Sequence, residues 1–474
     1  MPNPTESMEN IVDQHHPRGR AGVAAKVDGA IQAAKDSWRG VETKYVDVTI
    51  QFIGASLLPV GVVGTTDPFF HATLDHRLSY MHVSLRFRAR VLNLKLFEFR
   101  SSVQPNTLTP VWNEEWQVKN VPTAAMLSLI IRDKHHKGLI DHYIGKFETT
   151  IYPGAKEATI QGPMYKHNRG TFWLKIDSSP SRNDPALIPY SFDGPVHYSC
   201  HSSPTVGALT HLRDTRLYST WKVYIKGVPQ IFGDQVQHWC RNYRAAQAIF
   251  QGPTSIAVRS WIQAGHRLLY ARSVSNVFGV IKSAEDVFAL FRGGTHRSST
   301  DGTVSYAHRI KPAVYTYIIS ADDDSLRFSE TGAAFFVDFA SKHALHSNCA
   351  KTVRYSGEFH PRPVGGWARL SDAMEDEEVE WEIVIDNNSG TYSPDPDLLP
   401  KVKEIIGMNF AGFRVVALRH DDPELKASTE ACRAYALSKR GVTEHELQPH
   451  VTEGEETLMH QASRRWRRAV LPSR

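Results

Sequence analysis

The strongest constraint on the fold is a regular alternation of side-chain types that begins near Tyr45. The run YVDVTIQFI carries apolar residues at every second position, which is the period of a strand with one buried face. Short runs of the same kind, separated by turn residues, continue to TFWLKID at residues 171–177. Closely spaced short strands with turn signals predict an antiparallel β-sandwich or barrel between about Lys44 and Asp177.

Three segments of this region occur in an informative order. They are LLPVGVVGTTDPFF at 57–70, TLTPVWNEEW at 107–116 and LSLIIRDKHHKGLIDHYIGKF at 127–147. Together they resemble the C2 domain family, the calcium- and phospholipid-binding β-sandwich, and the middle segment is the most specific. The resemblance covers little more than a quarter of the chain. It implies a sandwich whose loops gather at one tip, where carboxylates hold Ca²⁺ and lipid phosphates complete the coordination.

The resemblance assigns metal-ligand positions to Asp67, Asp133 and Asp141. The family has further acids where this chain has Gly61 and His135, and His142 lies beside the last acidic position. Because calcium affinity falls with the number of anionic oxygen ligands, we expect Ca²⁺ binding to be weak or lost.

The histidines of the third segment allow a second hypothesis. Histidine gains positive charge in mildly acidic solution, so His135 and His142 predict an attraction to anionic lipid that rises as the pH falls. A transition-metal site that includes His136 is an alternative, and a solvated polar loop is the simplest interpretation.

An insertion separates the first two segments. The family has about half as many residues there, and the surplus is YMHVSLRFRARVLNLKLFEFR at 80–100. Arg86, Arg88 and Arg90 alternate along it, so they share one face if it forms a strand. The segment is then either a basic hairpin that binds acidic phospholipid or a translated intron.

The remainder of the chain predicts a multidomain protein in which a helical segment and an α/β domain follow the sandwich. Residues 1–43 are expected to be mostly disordered with one short helix, 178–207 to be a linker, and 441–474 to be a polar, basic tail. Between them, 208–292 has mainly helical spacing, while EWEIVID, DLLPKVKEIIGMNF and FRVVAL predict a parallel strand–helix–strand unit within 312–440. This half resembles uncharacterised fungal proteins that carry the same module, which implies no known activity.

The second half offers one candidate site. Asp386, Asn387, Asn388 and Ser389 follow a predicted strand, and ligands of open α/β sheets gather at the carboxyl ends of strands. A plain turn explains the same residues equally well. Ser329 and Glu330 suit the cap of a helix that continues through residues 333–345, and Asp322–Asp324 suits a solvated turn. The sequence contains no P-loop, G-x-S-x-G, H-E-x-x-H or G-x-G-x-x-G motif, so it names no reaction.

Charge and segment lengths limit the function. The net charge of +5 is mild and does not require nucleic acid as a partner. No apolar run is long enough for a transmembrane helix or a signal peptide. We therefore expect a cytoplasmic protein, peripheral at membranes, whose sandwich docks on anionic phospholipid. An enzyme acting on a membrane-associated substrate and a protein-binding adaptor are the alternatives.

Overall fold

The structure is a computed structural model, and it describes part of the 474-residue chain. The described residues are 45–56, 58–59, 66–74, 98–134, 141–163, 168–181, 190–202, 219–271, 276–292, 310–331, 341–370, 374 and 378–439. The predicted N-terminal helix, the C-terminal tail and the arginines of the insertion lie outside these ranges.

The first half of the chain forms a nine-stranded antiparallel arrangement in the order β3-β2-β5-β6-β7-β8-β1-β4-β9. The strands are β1 Tyr45–Ser56, β2 Pro68–Leu74, β3 Glu98–Arg100, β4 Val111–Pro122, β5 Met126–Asp133, β6 His142–Thr150, β7 Gly154–Gln161, β8 Asn168–Pro180 and β9 Ser191–Gly194. Strands β6 and β7 are paired only at Lys146 and Gln161, so the arrangement divides there into two leaves.

The inner faces of the two leaves meet in an aromatic core. Phe52 of β1 and Phe70 of β2 come from opposite leaves, are fully buried, and have ring centroids 4.7 Å apart. Phe172 of β8 lies 5.4 Å from Phe70 in an edge-on contact. Such pairs contribute about 0.5–1.5 kcal/mol beyond the burial of their area. The predicted sandwich is therefore present and closed by a well-packed core.

The second half of the chain is built on an eight-stranded sheet in the order β13-β10-β11-β15-β14-β17-β18-β19. The strands are β10 Val196–Ser202, β11 Ser219–Tyr224, β12 Gln237–His238, β13 Val277–Ile281, β14 Tyr315–Ile319, β15 Ser325–Glu330, β16 Thr352–Val353, β17 Tyr355–Pro363, β18 Trp381–Ile385 and β19 Arg414–Ala417, of which β12 and β16 pair separately. Its helices are α1 Val228–Phe232, α2 Arg244–Phe250, α3 Thr254–Leu269, α4 Ala284–Phe291, α5 Lys342–His346, α6 Leu399–Asn409 and α7 Pro423–Lys439, with 3₁₀ turns at Trp367–Arg369 and Pro396–Leu398.

The two faces of this second sheet differ in chemistry. Side chains alternate between faces along a strand, and one face carries Tyr315, Tyr317, Leu326, Phe328 and Phe359, which belong to a single large apolar core. The intervening residues of the same strands include Thr316, Ser325, Arg327, Ser329 and Glu358. A polar layer thus lies on the opposite face of the sheet.

Several expectations for the second half need correction. The region 208–292 is not a separate helical segment, because β11 and β13 lie in it among the helices and belong to the same sheet as the later strands. Neighbouring strands of the sheet are antiparallel except β18 and β19, which are parallel and joined through α6, so the predicted strand–helix–strand unit is one edge of a largely antiparallel sheet. The expected linker, 178–207, holds the end of β8 and both β9 and β10, because its chain pairs with β4 and β11.

Ser329 and Glu330 do not cap a helix. They are the last residues of β15, where pairing with β14 sets Ser329 opposite Thr316 and Glu330 opposite Tyr315. The described helix in this region, α5, starts instead after Ser341, whose hydroxyl accepts a hydrogen bond from the backbone N–H of His343. Serine followed by an acid before an apolar run occurs both at helix N-termini and at strand ends. Here the pairing with β14 shows that it is a strand end.

Candidate functional site

The tip of the sandwich forms where β2 begins and β5 ends. The backbone N–H of Asp67 donates to Oδ1 of Asp133 at 2.8 Å, and Oδ1 of Asp67 accepts from the N–H of Asn106 at 2.7 Å. Thr66 and Thr107 are joined by two further hydrogen bonds of 2.9 Å. The three segments of the C2 resemblance therefore meet at one tip, as the sequence predicts, and hydrogen bonds between their loops hold it together.

Two of the predicted metal ligands are thus already used by the protein, and the third is neutralised. Nζ of Lys134 lies 2.8 Å from Oδ1 of Asp141, and neither side chain is more than 26% exposed. Gly61 and His135 lie outside the described residues. Within the described part of the chain, no group of three or more His, Cys, Asp or Glu side chains is arranged to hold a metal ion. Ca²⁺ takes six to eight oxygen ligands, and this donor set, with an ammonium group inside it, does not fit the ion.

The predicted lipid-binding residues are only partly described. His142 is exposed at the first position of β6, opposite Asp133, and therefore belongs to the tip. The three arginines of the insertion lie outside the described ranges. The last residues of that segment are genuine parts of the sandwich, because β3 pairs with β2 and the side chain of Phe99 is 3% exposed.

The candidate loop of the second half lies at the carboxyl end of β18. Asp386 and Asn387 are buried, Asn388 is exposed and Ser389 is half-buried. Oδ1 of Asp386 accepts from the N–H groups of Glu358 and Asn388 at 2.7 and 2.8 Å, while Asn387 accepts from the N–H of His420 at 2.8 Å. Ser389 accepts from the N–H of Tyr392 at 3.2 Å. These polar groups hold the loop itself in shape.

A close backbone approach explains one glycine beside this loop. A Cβ atom at Gly357 would lie 2.1 Å from the carbonyl oxygen of Asp386. The hydroxyl of Tyr317 donates to the same oxygen at 3.0 Å. The loop is therefore seated directly on strand β17, where any larger residue would push it away.

A buried carboxyl group, Asp386, and a half-buried one, Glu358, influence each other at this contact. Burial raises the pKa of Asp386 well above its usual value, and the charge of Glu358 raises it further. Burial also raises the pKa of Glu358, against hydrogen bonds from Asn388 and Thr331. Like charges at short range cannot both be ionised without a penalty, so one of the two carboxyl groups retains a proton to higher pH than an exposed acid.

Sequence reasoning missed the polar layer of the second sheet. Asp322–Asp324 was expected to be a solvated turn, and it is a turn, but only Asp322 is exposed. Asp323 contacts Lys222 at 2.7 Å and Arg327 at 2.9 Å, and Asp324 contacts Arg354 at 3.3 Å. Although burial alone acts in the opposite direction, the charges of Arg327 and Lys222 hold the pKa of Asp323 well below its usual value.

Helix α5 contributes a second group of buried polar side chains to this layer. Nε2 of His346 lies 2.9 Å from the hydroxyl of Ser329, and its Nδ1 lies 2.6 Å from the hydroxyl of Tyr270. Burial lowers the pKa of Lys342 to about 7, against the raising effect of Glu330 and Glu358. On the other face of the sheet, where Glu330 pairs with Tyr315 in the register, Lys311 and Glu330 form a separate ion pair of 2.9 Å, with side chains 4% and 5% exposed. No spacing in the sequence indicated these pairs.

The sandwich and the second domain meet around His197, the second residue of β10. Its ring lies 5.2 Å from Phe99 and 5.6 Å from Phe192, and burial lowers its pKa to about 4. A cavity of about 40 Å³ lies beside it, lined by aromatic side chains and by Asp322–Asp324.

Comparisons with known proteins found C2 domains among the solved structures. No family model matches the chain, and no curated protein matches it. A single C2 domain of a plant extended synaptotagmin 1 aligns at 16% identity and a TM-score of 0.23, covering 30% of this chain and 99% of that domain. A structure described as a C2 domain aligns at 17% identity and a TM-score of 0.22, covering 28% and 99%.

A larger protein with a similar region is the human GIVD cytosolic phospholipase A2. It aligns at 16% identity and a TM-score of 0.23, covering 34% of this chain and 20% of the phospholipase.

None of the described helices is long and apolar enough to cross a membrane. The resemblance to C2 domains rests on the three ordered sequence segments.

Proposed function

We propose that the sandwich docks this protein on anionic phospholipid surfaces and that it does so without Ca²⁺. The observation that carries the proposal is the tip itself: three loops meet there, and their carboxylates are satisfied by protein groups. In a calcium-dependent module the ion neutralises the acids and bridges to lipid phosphate. Here Lys134 occupies the neutralising role beside Asp141.

The charge of the third loop supports this proposal. Residues 132–142, RDKHHKGLIDH, contain one arginine and two lysines against two aspartates, which leaves a net charge of +1 before any histidine is counted. Each basic residue near an anionic membrane surface contributes about 1 kcal/mol of attraction. The loop therefore favours anionic headgroups with no ion present, and His135 and His142 would strengthen the attraction in acidic solution.

Vesicle sedimentation of the whole protein tests the proposal. We expect binding to phosphatidylcholine–phosphatidylserine vesicles that is equal in calcium and in chelator, and that weakens with salt because exposed charges are screened over about 8 Å at physiological ionic strength. Lys134→Glu reverses one charge and should weaken binding at least about fivefold. Lys175→Glu changes an exposed lysine on strand β8 and serves as the matched control.

Two results would overturn the proposal. Binding that requires calcium would mean that the acids do form an ion site. Equal binding by the wild-type protein and Lys134→Glu would place the lipid contact away from the tip. The arginines of the insertion make a separate prediction: removing residues 80–96 keeps β3 but removes Arg86, Arg88 and Arg90 together with Lys95, and lost binding with preserved folding would support a docking role for this segment.

A further inference from the structure

Helix α3 of the second domain displays apolar side chains to solvent. Ile256 is 65% exposed, Trp261 is 63% exposed and Leu268 is 37% exposed. Ala257, Trp261, Ala264 and Leu268 follow one another at intervals of four, three and four residues, so they form one stripe along the helix. Large exposed apolar patches on a soluble domain mark interaction surfaces.

The exposed stripe is separate from the face that holds the helix in place. A neighbouring face, about 100° round the helix, buries Ile262 and Leu269 against Ile249 of α2 and Leu345 of α5, in a cluster that also contains Phe250. The helix is therefore anchored by one apolar face and presents a second one outward. A helix whose only task is to cover the sheet needs polar residues in those outer positions.

The charged residues of helices α2 and α3 and of the chain around them all have one sign. Residues 235–284 contain no aspartate or glutamate, in a chain that has 50 acidic residues among 474. Arg241, Arg244 and Arg267 are exposed in or beside helices α2 and α3. Helix α7, by contrast, mixes Glu424 and Glu430 with its basic residues. Exposed tryptophan and leucine next to arginine, without acids, is the composition of a helix that lies in a membrane interface.

We infer that helix α3 inserts its outer stripe among the headgroups of an anionic membrane, as a second lipid contact of this protein. Trp261 and Leu268 enter the apolar boundary, while the arginines pair with lipid phosphates. This contact belongs to the second domain and does not depend on the tip of the sandwich. It goes beyond the proposed function because it makes the second domain part of the docking surface.

Vesicle binding by a double variant tests the inference. Trp261→Ser with Leu268→Ser leaves the buried face of α3 unchanged, and it should weaken binding to phosphatidylserine-containing vesicles about tenfold or more. Tyr152→Ser is the control, because Tyr152 is 65% exposed on the sandwich and lies outside both proposed contacts. Hydrogen exchange with and without vesicles should show new protection at residues 254–269.

The outcomes separate this inference from the proposal for the tip. Weaker binding by the α3 variant supports it whether or not Lys134→Glu has an effect. Unchanged binding by the α3 variant overturns it, as does a lack of protection in α3 on vesicles that the protein does bind. Concentration-dependent self-association that the variant abolishes, with vesicle binding unaffected, would assign the stripe to a second copy of the chain and overturn it as well. Failure of the wild-type protein to bind vesicles overturns both.

Discussion

Acidic side chains at the tip of the sandwich and in the second domain are satisfied by different means. At the tip of the sandwich, Asp67 and Asp133 are hydrogen-bonded to backbone N–H groups of neighbouring loops. In the second domain, Asp323 and Glu330 pair with Lys222, Arg327 and Lys311 beneath the surface. The tip acids shape loops, whereas these acids of the second domain form ion pairs with lysine and arginine side chains.

The largest expected effect comes from breaking a buried pair. Glu330→Gln leaves Lys311 charged and 4% exposed, and loss of one partner of a buried pair typically destabilises by about 3–5 kcal/mol. Asp177→Asn removes one partner of an exposed pair with Lys175, which should change the free energy of unfolding by less than about 1 kcal/mol. Urea unfolding of both variants measures the contrast. Equal losses would mean that burial does not distinguish the two ion pairs.

The buried groups of the second domain also predict how stability changes as the solution becomes acidic. Burial lowers the pKa of His343 to about 4, so the folded protein keeps this ring neutral while the unfolded chain binds a proton below about 6.5. The stability contributed by neutral His343 is present above about pH 6.5 and is lost, at about 1 kcal/mol per pH unit, as the pH falls towards 4. The raised pKa values of Glu358 and Asp386 act in the opposite direction.

A single substitution isolates the histidine from those acids. His343→Gln cannot titrate but retains a donor for the carbonyl oxygen of Gly357, 3.0 Å from Nε2. The difference in unfolding free energy between the wild-type protein and this variant should shrink steadily from pH 7 to pH 5. A difference that does not change with pH would show that the ring is not held neutral by its surroundings.

The smallest effect is expected at the tip. Asp67→Asn preserves an oxygen that accepts from the N–H of Asn106, so the free energy of unfolding should change by less than about 1 kcal/mol. Vesicle binding should be unchanged in calcium and in chelator. Calorimetry that finds submicromolar Ca²⁺ affinity in the wild-type protein, abolished by this change, would contradict our interpretation of the tip.

The sandwich was predictable from sequence because its signals are local. Alternation predicts β1, and the segment around Trp112 predicts β4. The three ordered segments predict the tip at which Asp67 contacts Asp133. The strand–helix–strand unit of β18, α6 and β19 was predictable for the same reason. In each case the pattern and the structure that it predicts occupy the same stretch of chain.

The polar layer was not predictable, because its partners are distant in sequence. From the neighbouring sequence alone, Asp324 is expected in a turn. Its partner, Arg354, is brought next to it only by the fold. Ser329 likewise meets His346 and not a helix N-terminus. A polar residue in a strand does not reveal whether it faces water or a buried partner, so alternation identifies the strand and leaves its second face undetermined.

Strand β9 has a consequence for how this protein can be divided. It adds to the edge of the sandwich beside β4, and one residue, Pro195, separates it from β10 in the second sheet. A fragment that ends at residue 177, where the family resemblance ends, exposes the edge of β4 and its unpaired backbone groups, which template strand addition by other chains. A sandwich that is expressed alone or joined to another protein should therefore extend through Gly194 to remain monomeric.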